Sequence, residues 1–249
     1  NNFANYTRLW DSGKLQSAAG ITIFFVFVTV LLTFIVSMTL ALILNTKIVG
    51  ARFLRSIMMI PWVIPTVIAG LLWAWIYANP YGLLQYLVSI FSGGKITGFG
   101  ILNNQSTALW GIIIAALWKQ IPLMAILLLS GMQSIPDDML EAAKIDGANH
   151  FQIFWKILLP NTKSSMATLG IYTFISAWNN LIWMLLSVRS ESKWTVTLGI
   201  SSICGASVIK QPTWNLIMGV IVIGMIPVLI LFFAFQKYFM QSVAATGIK

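Results

Sequence analysis

At 249 residues, 58% hydrophobic and only 8% charged, the chain falls far below the roughly 25% charged residues of a soluble domain. So much apolar surface excludes a water-soluble core and points to a lipid environment. The formal charge of +9 comes from singly scattered Lys and Arg, not from a basic stripe, which sets nucleic acid aside. Cys204 is the single cysteine, so no disulfide forms within the chain and no metal site is built from Cys alone.

A helix needs about 20 apolar residues to cross the hydrocarbon core. Five runs meet that length: about Ile21–Leu44, Ser56–Ala78, Ile96–Trp118 resuming to Met132, Ser164–Val188, and Gln211–Gln236. Apolar residues run continuously in them instead of alternating, which favours helices over a barrel. The expectation is an all-α, polytopic membrane helical bundle. Residues 1–249 form a single membrane domain without an obvious repeat.

The connector Thr46–Arg55 holds Lys47, Arg52 and Arg55 and no acid, which argues for the cytoplasmic side. Alternation then puts Asn1–Ser17, Asn79–Gln105 and Arg189–Pro212 outside. Gln133–Lys163 and the C-terminal tail fall inside. Lys and Arg then count eight inside and six outside, so the orientation leans on the first connector. Turn signals mark Asn79–Gly82 and Ser92–Gly94, and Tyr81–Phe91 reads as a short helix at the outer interface. Trp10, Trp194 and Trp214 read as interfacial anchors.

Within the second run, Pro61 and Pro65 lie one turn apart. Each frees a carbonyl and bends the helix, either as a packing kink or as an unwound wall of a pathway. Trp73 and Trp75 lie near the end of that run. Lys119, beside Gln120 and Pro122, interrupts the third run. A Lys there is a functional candidate by default, or else it snorkels. Trp178, Asn179 and Asn180 interrupt the fourth. Amides bond hydroxyls and an indole stacks on a sugar ring, but the same residues also glue helices together.

The stretch Asp137–Asn161 holds four of the six acids and the sole histidine, His150, which has no neighbouring ligands for a metal. Ser134 reads as an N-cap, with Asp137 and Asp138 near the positive helix end. Met139–Ile145 reads as a short helix, broken at Asp146-Gly147. A second helix, Ala148–Leu158, places Phe151, Phe154, Trp155 and Leu158 at i, i+3, i+4, i+7, and Pro160 ends it. Paired Ala142 and Ala143 favour close backbone approach, and Glu141 offers a charge to an Arg. Two readings stand on the residues alone: an amphipathic helix on the membrane surface, or a docking knob for a soluble partner.

Glu141-Ala142-Ala143, then Gly147, Ile157, Leu159 and Pro160, resembles the EAA loop of ATP-binding-cassette importer permeases at every spacing. Arg55–Tyr77, Thr173–Asn180 and Phe232–Lys249 are similar to the maltose-type, carbohydrate-uptake class. The first segment resembles one paired subunit and the others lean to its partner; Asn180 stands where the second type commonly has an acid. The resemblance implies a type I importer permease with a further helix before Asn1. It implies a cytoplasmic coupling loop at 134–160, with Glu141, Ala142, Ala143, Asp146, Gly147, Phe151, Ile157, Leu159 and Pro160 at the ATPase.

It also implies a second permease subunit, two cytoplasmic ATP-binding subunits that carry ATP and Mg, and an extracytoplasmic binding protein. The implied substrate is a sugar or oligosaccharide, or a sugar-derived anion such as a glycerol phosphate or a uronate oligomer, met along Pro61, Pro65, Trp73, Lys119, Gln120, Trp178, Asn179 and Asn180. Lys119 and Lys210 then suit an anion.

No power source is legible in the chain. Ser92–Ile96 ("SGGKI") has Ile where a phosphate-cradling loop needs a hydroxyl. No Asp or Glu lies in the five runs to couple protons or sodium. An integral membrane enzyme lacks its constellation of acids, His or Ser–Lys. A non-transporting scaffold or channel explains the composition but not the spacing of the loop. The expectation is a transport subunit without an ATPase site, cofactor or metal of its own, in a bacterial cytoplasmic membrane.

Overall fold

A computed structural model describes residues 4–11, 13–46, 50–96, 98–103, 105–188, 193–209 and 214–247. The described residues are helical and turn structure without strands. In chain order the helices are α1 (Ala4–Asp11), α2 (Lys14–Asn45), α3 (Ala51–Met58), α4 (Ile60–Val63), α5 (Thr66–Ile76), α6 (Leu83–Phe91) and α7 (Gln105–Gln133). Then follow α8 (Asp137–Ile145), α9 (His150–Ile153), a π turn (Phe154–Leu158), α10 (Leu159–Asn161), α11 (Lys163–Trp178), α12 (Ile182–Ser187), α13 (Val196–Ile209) and α14 (Trp214–Gly247). Helices are what a chain this apolar must form, because lipid offers no partner to a backbone N–H or C=O.

Among the described residues three helices are long and apolar enough to cross a membrane: Lys14–Asn45, Thr107–Gln133 and Trp214–Gln236. Ala51–Val63 and Thr66–Ile76 pass the same test only as a pair interrupted by a break, either a broken span or a re-entrant loop. The count of five expected from the runs is therefore not reached on length and composition. The fourth run ends as a helix at Trp178, and a turn at Asn179–Leu181 separates it from α12. The connector expected at Arg189–Pro212 contains α13, an apolar helix framed in the sequence by Lys193 and Lys210.

Pro122 and Pro227 lie inside α7 and α14 without ending them. Beside the first, the Ser37 hydroxyl donates to the Ile121 carbonyl at 3.1 Å. Pro65, by contrast, stands at φ −54°, ψ 139°, an extended geometry that stops α4 and starts α5. Its missing N–H is harmless at a helix start and disruptive inside one.

The chain divides into two compact units. The first comprises Asn1–Thr29, Ile64–Trp118 and Ile175–Leu229. Here α5 packs on α12, and Gly70 permits it: a Cβ there would lie 2.6 Å from Leu186 Cδ1. Small residues let membrane helices approach closely. The Tyr77 hydroxyl donates to the Gly111 carbonyl at 2.9 Å. The Val196 N–H donates to Thr22 Oγ1 at 2.9 Å, tying the start of α13 to α2.

The second unit comprises Val30–Val63, Lys119–Phe174 and Ile230–Lys249. Its core gathers Met38, Ala41 and Leu44 of α2, Met124, Leu128, Leu129 and Met132 of α7, and Leu169 of α11. Arg55 Nη2 donates to the Leu44 carbonyl at 3.1 Å, a cationic cap at the C-terminal end of α2. A smaller cluster, Ile135, Ile153 and Leu158, anchors the polar stretch from Asp137 to Asn161.

Candidate functional site

The elbow begins where Pro136, at φ −58° and ψ 136°, precedes α8. Asp137 and Asp138 occupy its first turn and Lys144 its last, each matched in sign to the helix dipole. Ser134, expected as the cap, instead donates its hydroxyl back to the Gly131 carbonyl at 2.8 Å. The Ser-Ile-Pro sequence places it too far upstream once Pro136 has fixed the helix start.

α8 ends in a Schellman closure. The Ala148 N–H donates to the Ala143 carbonyl at 2.9 Å, and the Gly147 N–H to the Lys144 carbonyl at 3.0 Å. That geometry needs a left-handed residue, supplied by Gly147 at φ +79°. Ala143 and Ala148 each pack on the Ile135–Ile153–Leu158 cluster, which gives both ends of this stop an apolar seat.

The second arm starts on a reciprocal cap. The Asn149 side chain accepts from the Gln152 N–H at 2.8 Å, and the Gln152 side chain accepts from the Asn149 N–H at 2.9 Å. This capping box is readable from Asn-x-x-Gln and shortens the expected Ala148–Leu158 helix at its start. Its end differs as well. From Phe154 the helix widens, and the Leu159 N–H reaches back to the Phe154 carbonyl. Pro160 follows and does not end the helix. Residues continue as α10 and, past Thr162, as α11.

The wide turn also re-sorts the faces. Ile153 and Leu158, five apart, share the buried side, whereas Phe151 and Trp155 stand exposed. The expected stripe running through Leu158 is thus split. Glu141, Ala142, Asp146, Gly147 and Pro160 are exposed; Ala143, Ile157 and Leu159 are half-buried. Two large apolar side chains stand out at the bend: Ile145, 86% exposed, and Phe151, 71% exposed. Ile145 was not singled out from sequence, although its place just before Asp146-Gly147 was the available signal.

The intramembrane candidates fall in both units and are described separately. In the second unit, Lys119 Nζ donates to the Trp62 carbonyl at 3.3 Å. Trp62 lies in the last turn of α4, where Pro65 has removed the continuing helix, so the ammonium meets a carbonyl that the break left over. Pro61 lies in that same short helix. Beside Lys119, Gln120 keeps its side-chain oxygen buried without a partner.

In the first unit, Pro65 heads α5, and Trp73 packs on Tyr77 and Trp118 at centroid distances of 5.2 and 5.7 Å. Trp178 is buried and spends its ring N–H on the Gly224 carbonyl at 3.0 Å, while its own carbonyl accepts from Thr197 at 2.7 Å. That geometry serves helix packing. Asn180 is buried, and Asn179 alone of the three is exposed. Lys210 lies outside the described residues, and so does the side chain of His150. Among the described residues no three His, Cys, Asp or Glu side chains gather in metal-binding reach.

Residues 34–245 match the family described as binding-protein-dependent transport system inner membrane component. The chain belongs to that family. It is 38% identical over 173 residues to the trehalose/maltose transport system permease protein MalF of Thermococcus litoralis, covering 70% of this chain and 58% of that protein. It is 30% identical over 175 residues to the sulfoquinovosyl glycerol transport system permease protein SmoG of Agrobacterium fabrum, covering 70% of this chain and 56% of that one. The chain thus spans little more than half the length of these relatives. Its fold is similar to a bacterial ABC transporter involved in the import of the acidic polysaccharide alginate, with a TM-score of 0.82, 18% identity, and coverage of 95% of this chain and 82% of that one. Family membership makes the chain a membrane-embedded transport component.

Proposed function

We propose that this chain is the permease subunit of an ATP-driven, binding-protein-dependent importer of a sugar or oligosaccharide. One observation carries the reading furthest: an elbow held by two caps presents Ile145 and Phe151 to the outside, beside exposed Glu141 and Ala142. A surface that stiff and that apolar suits seating in a partner's cleft. Two cytoplasmic ATP-binding subunits, holding ATP and Mg, grip the elbow. A second permease subunit completes the pathway, and an extracytoplasmic protein delivers substrate. The elbow and C-terminus then face the cytoplasm, as the basic Lys47–Arg55 connector also favours.

A neutral sugar is supported by the names of relatives such as the trehalose/maltose and diacetylchitobiose uptake permeases. A sugar-derived anion is supported by the sulfoquinovosyl glycerol relative and by Lys119, the one charged residue in the sequence of α7. ATP-dependent uptake by the full transporter in proteoliposomes decides between them. The importer reading expects accumulation of labelled sugar only with ATP, and trehalose or maltose should compete better than glycerol phosphate or a uronate oligomer. No ATP-dependent accumulation of any of these would overturn it.

A further inference from the structure

Helix α6 is amphipathic in reverse. Its two polar residues, Gln85 and Ser89, turn inward; Gln85 is only 7% exposed. Leu83, Tyr86, Leu87, Ile90 and Phe91 turn outward, and Phe91 is 87% exposed. At 100° per residue these five fall on one contiguous side. The segment that follows closes over this side, while Gln85 Oε1 stays buried without a partner. Gln85 Nε2 faces the Ile96 carbonyl at 3.5 Å, the Gly94 N–H donates to the Ser89 carbonyl at 2.8 Å, and the Ile96 N–H donates to Ser92 Oγ at 3.1 Å. The outward face therefore offers nothing polar except the Tyr86 hydroxyl.

We infer that α6 lies in the membrane interface, with Leu83, Leu87, Ile90 and Phe91 in the acyl boundary and Tyr86 at headgroup level. Three observations select lipid over a protein. No charged residue occurs from Ser56 to Gly94, and the charge that ends this run, Lys95, is exposed directly after the helix and its turn. The neighbouring α5, which packs on α6, also exposes large apolar side chains, Leu71, Leu72 and Trp75. Tyr86, 62% exposed, also brings to this face an aromatic ring with a polar tip, a residue type enriched at membrane–water boundaries. Short helices with an apolar face and an aromatic at the boundary suit the headgroup region.

The test uses the assembled transporter in lipid nanodiscs, with Cys204 replaced by Ser. Nitroxides are attached singly at Leu87→Cys and Ile90→Cys, with exposed Asp11→Cys, away from the elbow, as the water reference. Oxygen partitions into lipid and a neutral nickel chelate into water. The expected result is relaxation of both α6 labels dominated by oxygen, by severalfold over the chelate, with the reverse at Asp11. Labels that read water like Asp11 would overturn the inference. So would labels shielded from both agents, which would mark a protein partner or a second copy on this face. Leu83→Cys is a further site on the same face, exposed enough that labelling removes no core packing.

Discussion

The Ala148 N–H donates to the Ala143 carbonyl at 2.9 Å, across the left-handed Gly147. This bond explains why the second alanine of the Glu141-Ala142-Ala143 triplet and the glycine four residues on occur together. They are two ends of one helix stop. The spacing that looks like a recognition signature is, at the backbone level, the geometry of an elbow.

Gly147 has open space around a would-be Cβ, so any cost of replacing it is backbone strain and not collision. Gly147→Val should lose about 1–3 kcal/mol of local stability. Gly147→Asn should lose less, because Asn visits the left-handed region more readily. Hydrogen exchange at the Ala148 amide reads the difference: fast in the Val variant, close to wild type in the Asn variant.

Asn149 and Gln152 close the second arm on each other. Asn149→Ala should cost about 1 kcal/mol, and Asn149→Asp should restore most of it. Exchange of the Gln152 amide in the two variants checks this.

Lys119 clasps the Trp62 carbonyl at the break between α4 and α5. A hydrogen bond from a charged donor contributes roughly 1.5–3 kcal/mol. Lys119→Met should lower the thermal midpoint of the assembled transporter, whereas Lys119→Arg, which keeps a donor, should recover part of it. A sugar-anion contact instead predicts that Lys119→Met raises the concentration for half-maximal uptake and leaves the midpoint unmoved.

Gly70 lets α5 approach α12. Gly70→Ala should be only mildly destabilising, because its Cβ would sit 2.6 Å from Leu186 Cδ1, the end of a side chain that can turn aside. Adding Leu186→Ala should reverse part of the loss, and thermal unfolding of the single and double variants measures the coupling.

The long runs were legible because Ile21–Leu44 and its counterparts hold an unbroken apolar sequence, and helix is the only local answer in lipid. The elbow was legible in its break, since Asp146-Gly147 combines a helix stop with a residue free to turn left. Its second arm was not. Pro160 reads as a terminator by local rules, yet helix continues through it after a wide turn at Phe154–Leu158 that the sequence does not announce. That turn moves Leu158 to the buried side, away from Phe151 and Trp155. α13 was missed because Lys193 and Lys210 frame Val196–Ile209 like a connector. Trp178 illustrates the limit of chemistry read without packing: an indole beside two amides suits a sugar, but the ring N–H is already committed to Gly224.

The grip of the ATP-binding subunits on the elbow is tested most directly by charging the two side chains that it presents. The transporter carrying Ile145→Asp and Phe151→Asp is purified through a tag on this chain, and the co-purifying ATP-binding subunit is quantified. Both side chains are largely exposed, so the chain itself should still fold and insert. A gripped elbow loses at least tenfold of the bound subunit, and substrate-stimulated ATP hydrolysis falls with it. Full recovery of the subunit together with unchanged stimulation would contradict the coupling role.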